Sequence, residues 1–142
     1  GRTAPSAMNA QEVDVYVALA DGLYRYAPKV HELHLVAAMD VRRVTGYQDF
    51  VDTAPLDLVY VADHGRMKTI PAARRESYAS MAVGAMAQNV YLYCASAGLG
   101  AVVRAWFDQN ALGQSMGLDA DQQILLTQTV GLPAAAASAS HG

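Results

Sequence analysis

The stretch AARRESYASMAVGAMAQNVYLYCASA, running from Ala72 to Ala97, decides how this chain folds. Ala, Met, Leu, Gln and Glu dominate it, residues that lose little side-chain freedom in a helix, and Gly84 is its main weak point. At 1.5 Å per residue such a helix is roughly 39 Å long. Met81, Ala85, Gln88 or Asn89, Leu92 and Ser96 recur at three-to-four spacing, and so do Tyr78, Ala82, Met86, Val90, Tyr93 and Ala97. Both faces beyond Ser80 are apolar or small, so the pattern predicts a helix buried nearly all round. In a chain of 142 residues that describes a core helix, often one shared with a second subunit. Gly98 and Gly100 terminate it.

Outward from this helix the chain reads as short strands. Upstream, Leu56–Ala62 is a largely buried strand, set off by Ala54-Pro55 because the residue before proline is pushed out of the α region. Gly65–Pro71 connects it to the helix. Earlier still, Asp40 caps a short helix through Val44, Gly46 stops it, and a further turn carries Phe50 and Val51. Val13, Val15, Val17 and Leu19 share one face of an extended segment, Glu12–Leu19. Asp21-Gly22 signals a turn, and Leu23–Tyr26 returns as the second strand of a hairpin. His31–Val36 alternates Leu33 and Leu35 with Glu32 and His34, giving a third strand. Downstream, Ala101–Trp106 is a strand, Asp108 caps a helix through Met116 that Gly117 ends, and Gln122–Leu132 is the last strand, closed by Pro133. The expected fold is α+β, an antiparallel-rich sheet packed around a long central helix. It forms one domain over residues 1–133, followed by a flexible Ala/Ser tail over 134–142.

Composition narrows the function. A hydrophobic fraction of 53% with 16% charged residues is that of a folded domain and argues against disorder. Ten Lys and Arg against 13 Asp and Glu, without a basic cluster, make nucleic acid an unexpected partner, since phosphate neutralisation needs grouped cations. No apolar run approaches the ~20 residues of a membrane span, so no membrane partner is expected. The cytoplasm is the default compartment, with an exported form as the alternative if a leader precedes Gly1. The single Cys94 leaves no internal disulfide framework and no multi-cysteine metal site.

Four groups of residues invite a chemical reading. His31-Glu32-Leu33-His34 has its histidines three apart on a strand, whereas zinc-binding pairs on a helix need i, i+4 spacing; these read as surface histidines, and no metal is expected. Cys94 lies in an apolar helix without a partnering histidine and reads as a small buried hydrophobe. Gly98-Leu99-Gly100 lacks the following helix of a phosphate loop and reads as the exit from the long helix. The opening segment, Arg2–Gln11, sets short polar side chains on a stiffened backbone before the first strand. Such a segment can offer donors and acceptors to a planar ligand, as a flavin's N1/O2 edge and its O4 and N3 atoms require.

Pro5-Ser6-Ala7-Met8-Asn9-Ala10-Gln11 resembles the Pro-Ser-x-x-Asn-x-Gln signature of the FMN-dependent nitroreductase family. The likeness continues in order through Tyr47–Val51, Ala54–Asp63, Gln88–Ser96, Gly98–Arg104 and Gln128–Pro133, and is greatest to the branch related to SagB-type oxidases, which dehydrogenate azoline rings in peptides. The resemblance implies an intimate homodimer with FMN at the subunit interface. It implies that Pro5, Ser6 and Asn9 line the isoalloxazine edge, that Gln11 buttresses their loop, and that Val102, Val103 and Arg104 lie beside the ring, where main-chain amides approach N5. No catalytic side chain is nominated, because the flavin carries the chemistry; Arg104 is the expected contact to an anionic donor or acceptor. The implied reaction takes hydride from NAD(P)H or an organic donor to a nitroaromatic, quinone or heterocyclic small-molecule acceptor.

Two departures from the family pattern suggest the alternative, a non-catalytic dimer acting as a binding or assembly module. The Arg-rich helix start that holds the FMN phosphate, expected upstream of the Pro-Ser motif, does not occur here, so the chain reads as truncated at its N-terminus. Ala134–Ser140 supplies no Lys or Arg after the last strand. Charge-assisted contacts of that kind provide much of the affinity for a dianionic phosphate.

Overall fold

A computed structural model of the protein describes residues 12–42, 56–105 and 107–131. The β-branched run of Val13–Leu19 forms β1, and a two-residue turn leads into β2 (Gly22–Ala27), with Leu19 opposite Gly22. The third strand, β3, spans Glu32–Ala37, one residue later than the alternation suggests, because His31 takes a positive φ of 53° in the turn. Then come β4 (Leu56–Asp63), a 3-10 turn at His64–Arg66, and helix α1 (Ala72–Ala97). Strand β5 (Gly100–Arg104), helix α2 (Gln109–Met116) and strand β6 (Gln122–Gly131) complete the described chain. Of the helix expected over Asp40–Val44, only its start is described: Asp40 Oδ1 accepts the Arg42 amide at 3.0 Å.

All six strands join one sheet in the order β3-β2-β1-β4-β6-β5, each pair antiparallel. The α+β class is therefore as the sequence indicates, but the layering is more specific. Tyr16, Val59, Val61 and Ile124 on one face pack against Leu112 and Met116 of α2. Val13, Tyr60 and Ala62 on the other face pack against Ala79, Ala82, Val83 and Ala87 of α1, with Met67 and Ile70 between. Covering both faces explains why β4 reads as a continuous apolar run. Each large side chain buried there contributes about 1.5–3 kcal/mol.

The all-round burial expected of α1 is corrected. Only the stripe Ala79, Ala82, Val83, Ala87 and Cys94 is buried, whereas Met81 is 60% and Tyr93 66% exposed. One sheet face gives a helix one wall. The sheet covers the side of α1 that carries Ala82 and, partly buried, Tyr78 and Met86, whereas Met81 and Leu92 of the other stripe face outward. At its start α1 is tied down by Arg75, whose Nε donates to the carbonyls of Met67 and Ile70 at 2.9 Å.

Its end is a Schellman arrangement. Gly98, at φ 75°, and Leu99 both donate their amides to the Cys94 carbonyl, and only the left-handed residue needs to be glycine. Gly100, expected to help end the helix, instead opens β5 opposite Gly131. β5 stops at Arg104, short of the expected Trp106, and β6 follows its expected course from Gln122 to Gly131, with Leu132 outside the described residues. Helix α2 begins as expected, with Asp108 Oδ1 accepting the Ala111 amide at 3.0 Å, and ends at Gly117, φ 71°.

Candidate functional site

Of the residues singled out for a flavin, Val102, Val103 and Arg104 form the C-terminal half of β5, the outermost strand on one side of the sheet. Pro5, Ser6, Asn9 and Gln11 lie outside the described residues, as do the segments 43–55 and 132–142 and Trp106. Val102 is 43% and Val103 36% exposed, on a strand that pairs with β6 alone among the described residues. An antiparallel edge strand turns alternate amides outward. The outward amide of Val103 donates to the Tyr91 hydroxyl of α1 at 2.8 Å. The Arg104 carbonyl accepts from Thr127 Oγ1 at 3.3 Å, on the β6 side.

Beneath this edge the polar groups are fixed. Gln128 stands opposite Val103 in the β5–β6 register and is fully buried. Its Oε1 accepts from Tyr60 Oη at 2.6 Å, and its Nε2 donates to the Ala87 carbonyl at 3.2 Å. One carboxamide thus ties β6 to β4 and to α1. Burial pushes the Tyr60 hydroxyl far above its ordinary range, with Cys94 and Tyr91 adding to the effect. Burial also lowers the Arg104 guanidinium, while the buried Asp57 carboxylate, and after it Tyr91, act to hold its positive charge. Buried charges persist where an opposite charge offsets desolvation.

The remaining candidates fall where the sequence puts them. Cys94 is buried and its thiol is pushed up by that burial, away from the thiolate a nucleophile needs. His31 and His34 are exposed; His31 Nδ1 bonds the Tyr26 hydroxyl at 2.9 Å and His34 Nε2 bonds Glu32 at 3.1 Å. Among the described residues no group of three His, Cys, Asp or Glu could hold a metal ion, and no helix is long and apolar enough to cross a membrane.

Sequence reasoning missed three features. Tyr91, Asp57 and Gln128 passed as members of apolar runs, although a polar group within such a run is the signal that could have found them. Arg66 joins Asp14 through two hydrogen bonds of 2.9 and 2.7 Å and approaches Asp63 at 3.3 Å, bracing β1 against the 3-10 turn. A polar cleft of about 640 Å³ opens near the start of β6, lined by His64, Asn110, Gln114, Asp121 and Gln123 among others. Of the described residues expected at a flavin, Val102, Val103 and Arg104, none borders it. Its polar side chains are partly spent on one another, as in the 2.8 Å bond between His64 Nε2 and Gln123 Oε1.

The family model described as "Nitroreductase family" matches residues 1–132. The chain belongs to that family. It is 33% identical over 118 residues to a Methanocaldococcus jannaschii protein named as a nitroreductase, a match covering 75% of this chain and 60% of the relative. A solved structure from Ralstonia eutropha JMP134, also named as a nitroreductase, is 57% identical and superposes with a TM-score of 0.87 over 93% of this chain and 63% of the other. The fold extends to the NADPH:FMN oxidoreductase of Vibrio harveyi, 23% identical, with a TM-score of 0.68 over 92% of this chain and 54% of that one. The nitroreductase chain described here therefore spans about 60% of the length of the relatives it matches.

Proposed function

We propose that this nitroreductase-family protein is an FMN-dependent oxidoreductase, carrying hydride from NAD(P)H or an organic donor to a nitroaromatic, quinone or heterocyclic acceptor. The observation that carries the reading is the family match over residues 1–132, which takes in both the Pro5–Gln11 segment and β5. The groups on β5 are of the kind a flavin ring requires: exposed Val102 and Val103 for its apolar face, the Tyr91 hydroxyl bound to the Val103 amide at its polar rim, and a guanidinium beside them. Bound FMN would supply the hydride-accepting and hydride-donating centre. Val102 and Val103 would keep water from one face of the ring. Arg104, its charge upheld by Asp57, would favour an anionic donor or acceptor. Pro5, Ser6 and Asn9 would line the polar edge, with Gln11 behind them.

The outward side of α1, where Met81 and Leu92 are exposed, supports assembly of two copies through this helix, with one flavin at each end of the interface. Likeness to the SagB-type branch would make a peptide azoline the organic donor, losing two hydrogens to become the aromatic azole.

The test is to titrate FMN into the protein and add NADPH without oxygen. Uptake of one flavin per chain at micromolar FMN, bleached by NADPH, is the expected result. A colourless dimer that takes up no flavin but binds another ligand saturably would replace the enzyme by the binding module.

A further inference from the structure

Among the described residues nothing accepts the proton of the Tyr91 hydroxyl. Tyr91 is half-buried on α1, and its Oη accepts the outward Val103 amide at 2.8 Å. A phenol oxygen is both donor and acceptor. With a lone pair occupied by that amide, the O–H is directed away from the strand, and among the described residues nothing accepts it. Arg104, whose charge feels Tyr91, offers only donors, and the exposed side chains of Val102 and Val103 are apolar. The rim of β5 therefore presents one O–H donor, oriented by a backbone hydrogen bond, next to an apolar surface. Water can take this proton while the rim is bare. A ligand that displaced the water without supplying an acceptor would leave the proton unpaired and bind more weakly.

Resting on the flavin reading above, we infer that Tyr91 is a cofactor-binding residue whose hydroxyl donates a hydrogen bond to an acceptor atom of the isoalloxazine ring seated against β5. The ring's carbonyl oxygens and imine nitrogens are acceptors of that class. The bond ties cofactor orientation to α1, since the same oxygen holds β5 to the helix.

Tyr91→Phe keeps the ring packing and removes the O–H, and far-UV circular dichroism checks that the helix content is unchanged. FMN is titrated into flavin-free protein, and both its dissociation constant and the visible absorption of the bound flavin are recorded. The expected result is about a tenfold rise in Kd, corresponding to about 1.4 kcal/mol, with a shifted absorption maximum in the variant. A residue that merely anchors the strand would change thermal stability and Kd but leave the absorption of the bound flavin unmoved, so the spectrum decides between the two roles. A superimposable spectrum overturns the inference while the flavin reading stands. Parent protein that takes up no FMN overturns both.

Discussion

β3 and β5 close opposite edges of one sheet, and both expose apolar side chains. On β3 every side chain from Glu32 to Val36 is exposed, Leu35 by 59%, and the polar contacts are local: His34 with Glu32, and His31 with Tyr26. On β5 the exposed valines sit over a braced floor. Tyr91 holds the Val103 amide, Thr127 holds the Arg104 carbonyl, and Gln128 beneath is bonded to both Tyr60 and Ala87. Exposure alone does not separate these edges. The difference lies in what fixes the backbone behind the exposed atoms, and a ligand site needs that support because a loosely held edge must pay ordering entropy on binding.

The largest expected effect tests where the rigid part of the sheet ends on the β3 side. Leu23 of β2 is fully buried, whereas Leu35 on the neighbouring strand is not. Leu23→Ala should cost about 2–5 kcal/mol through lost burial and a residual cavity. Leu35→Ala should stay within about 0.5 kcal/mol. Urea midpoints at equal m-value measure both. Equal losses would mean that β3 is packed in solution and that the contrast between the edges is false.

The next effect tests the floor under β5. Gln128→Leu removes both hydrogen bonds of the carboxamide and leaves the Tyr60 hydroxyl buried without its acceptor, at a cost of about 1–3 kcal/mol. If the floor positions the site, FMN affinity falls along with stability. A loss of stability with unchanged affinity would separate the floor from the site.

Alkali probes the same floor by another route. Burial raises the Tyr60 hydroxyl above its ordinary value of 10.0, so the folded state keeps a proton that the unfolded chain gives up. The stabilisation is fully present below about pH 10 and declines above it, by up to about 1.4 kcal/mol per pH unit for one such group. Tyr60→Phe should flatten that decline, at the cost of an unpaired Gln128 oxygen at neutral pH. Stability measured from pH 8 to 11 in both proteins checks the sign, and parallel curves would show that Tyr60 titrates without strain.

How far these edges were legible in the sequence follows from the range of the interactions that make them. The alternation Val13, Val15, Val17, Leu19, the Asp108 cap and the glycines at 98 and 117 are local signals, and each appears within a residue or two of its expected place. The bracing of β5 is not local. Tyr60 reaches Gln128 across 68 positions, and the carbonyl that Gln128 bonds lies 41 positions away, distances over which periodicity carries no information. The two stripes read along α1 share only Ala82 with the buried set, because spacing gives the faces of a helix and only the fold says which of them has a wall. The Pro5–Gln11 segment lies outside the described residues, so its motif is still the whole of the support for those side chains.

The smallest effect concerns the outward face of α1. Gly84 lies on it with Met81, Gln88 and Leu92, and a Cβ built at Gly84 meets nothing within 4 Å. In an isolated chain Gly84→Ala removes the entropic penalty of a mid-helix glycine and should stabilise by about 0.5–1 kcal/mol. If two copies pack through this face, the added methyl enters the approach of one helix to the other and should weaken association. The substitution thus has opposite signs in the two states. Thermal unfolding at low protein concentration reads the first, and sedimentation over a concentration series reads the second. A more stable chain with a weaker dimer places the interface on this face. A more stable chain with unchanged association moves it elsewhere, and leaves the apolar side chains of α1 as exposed as those of β3.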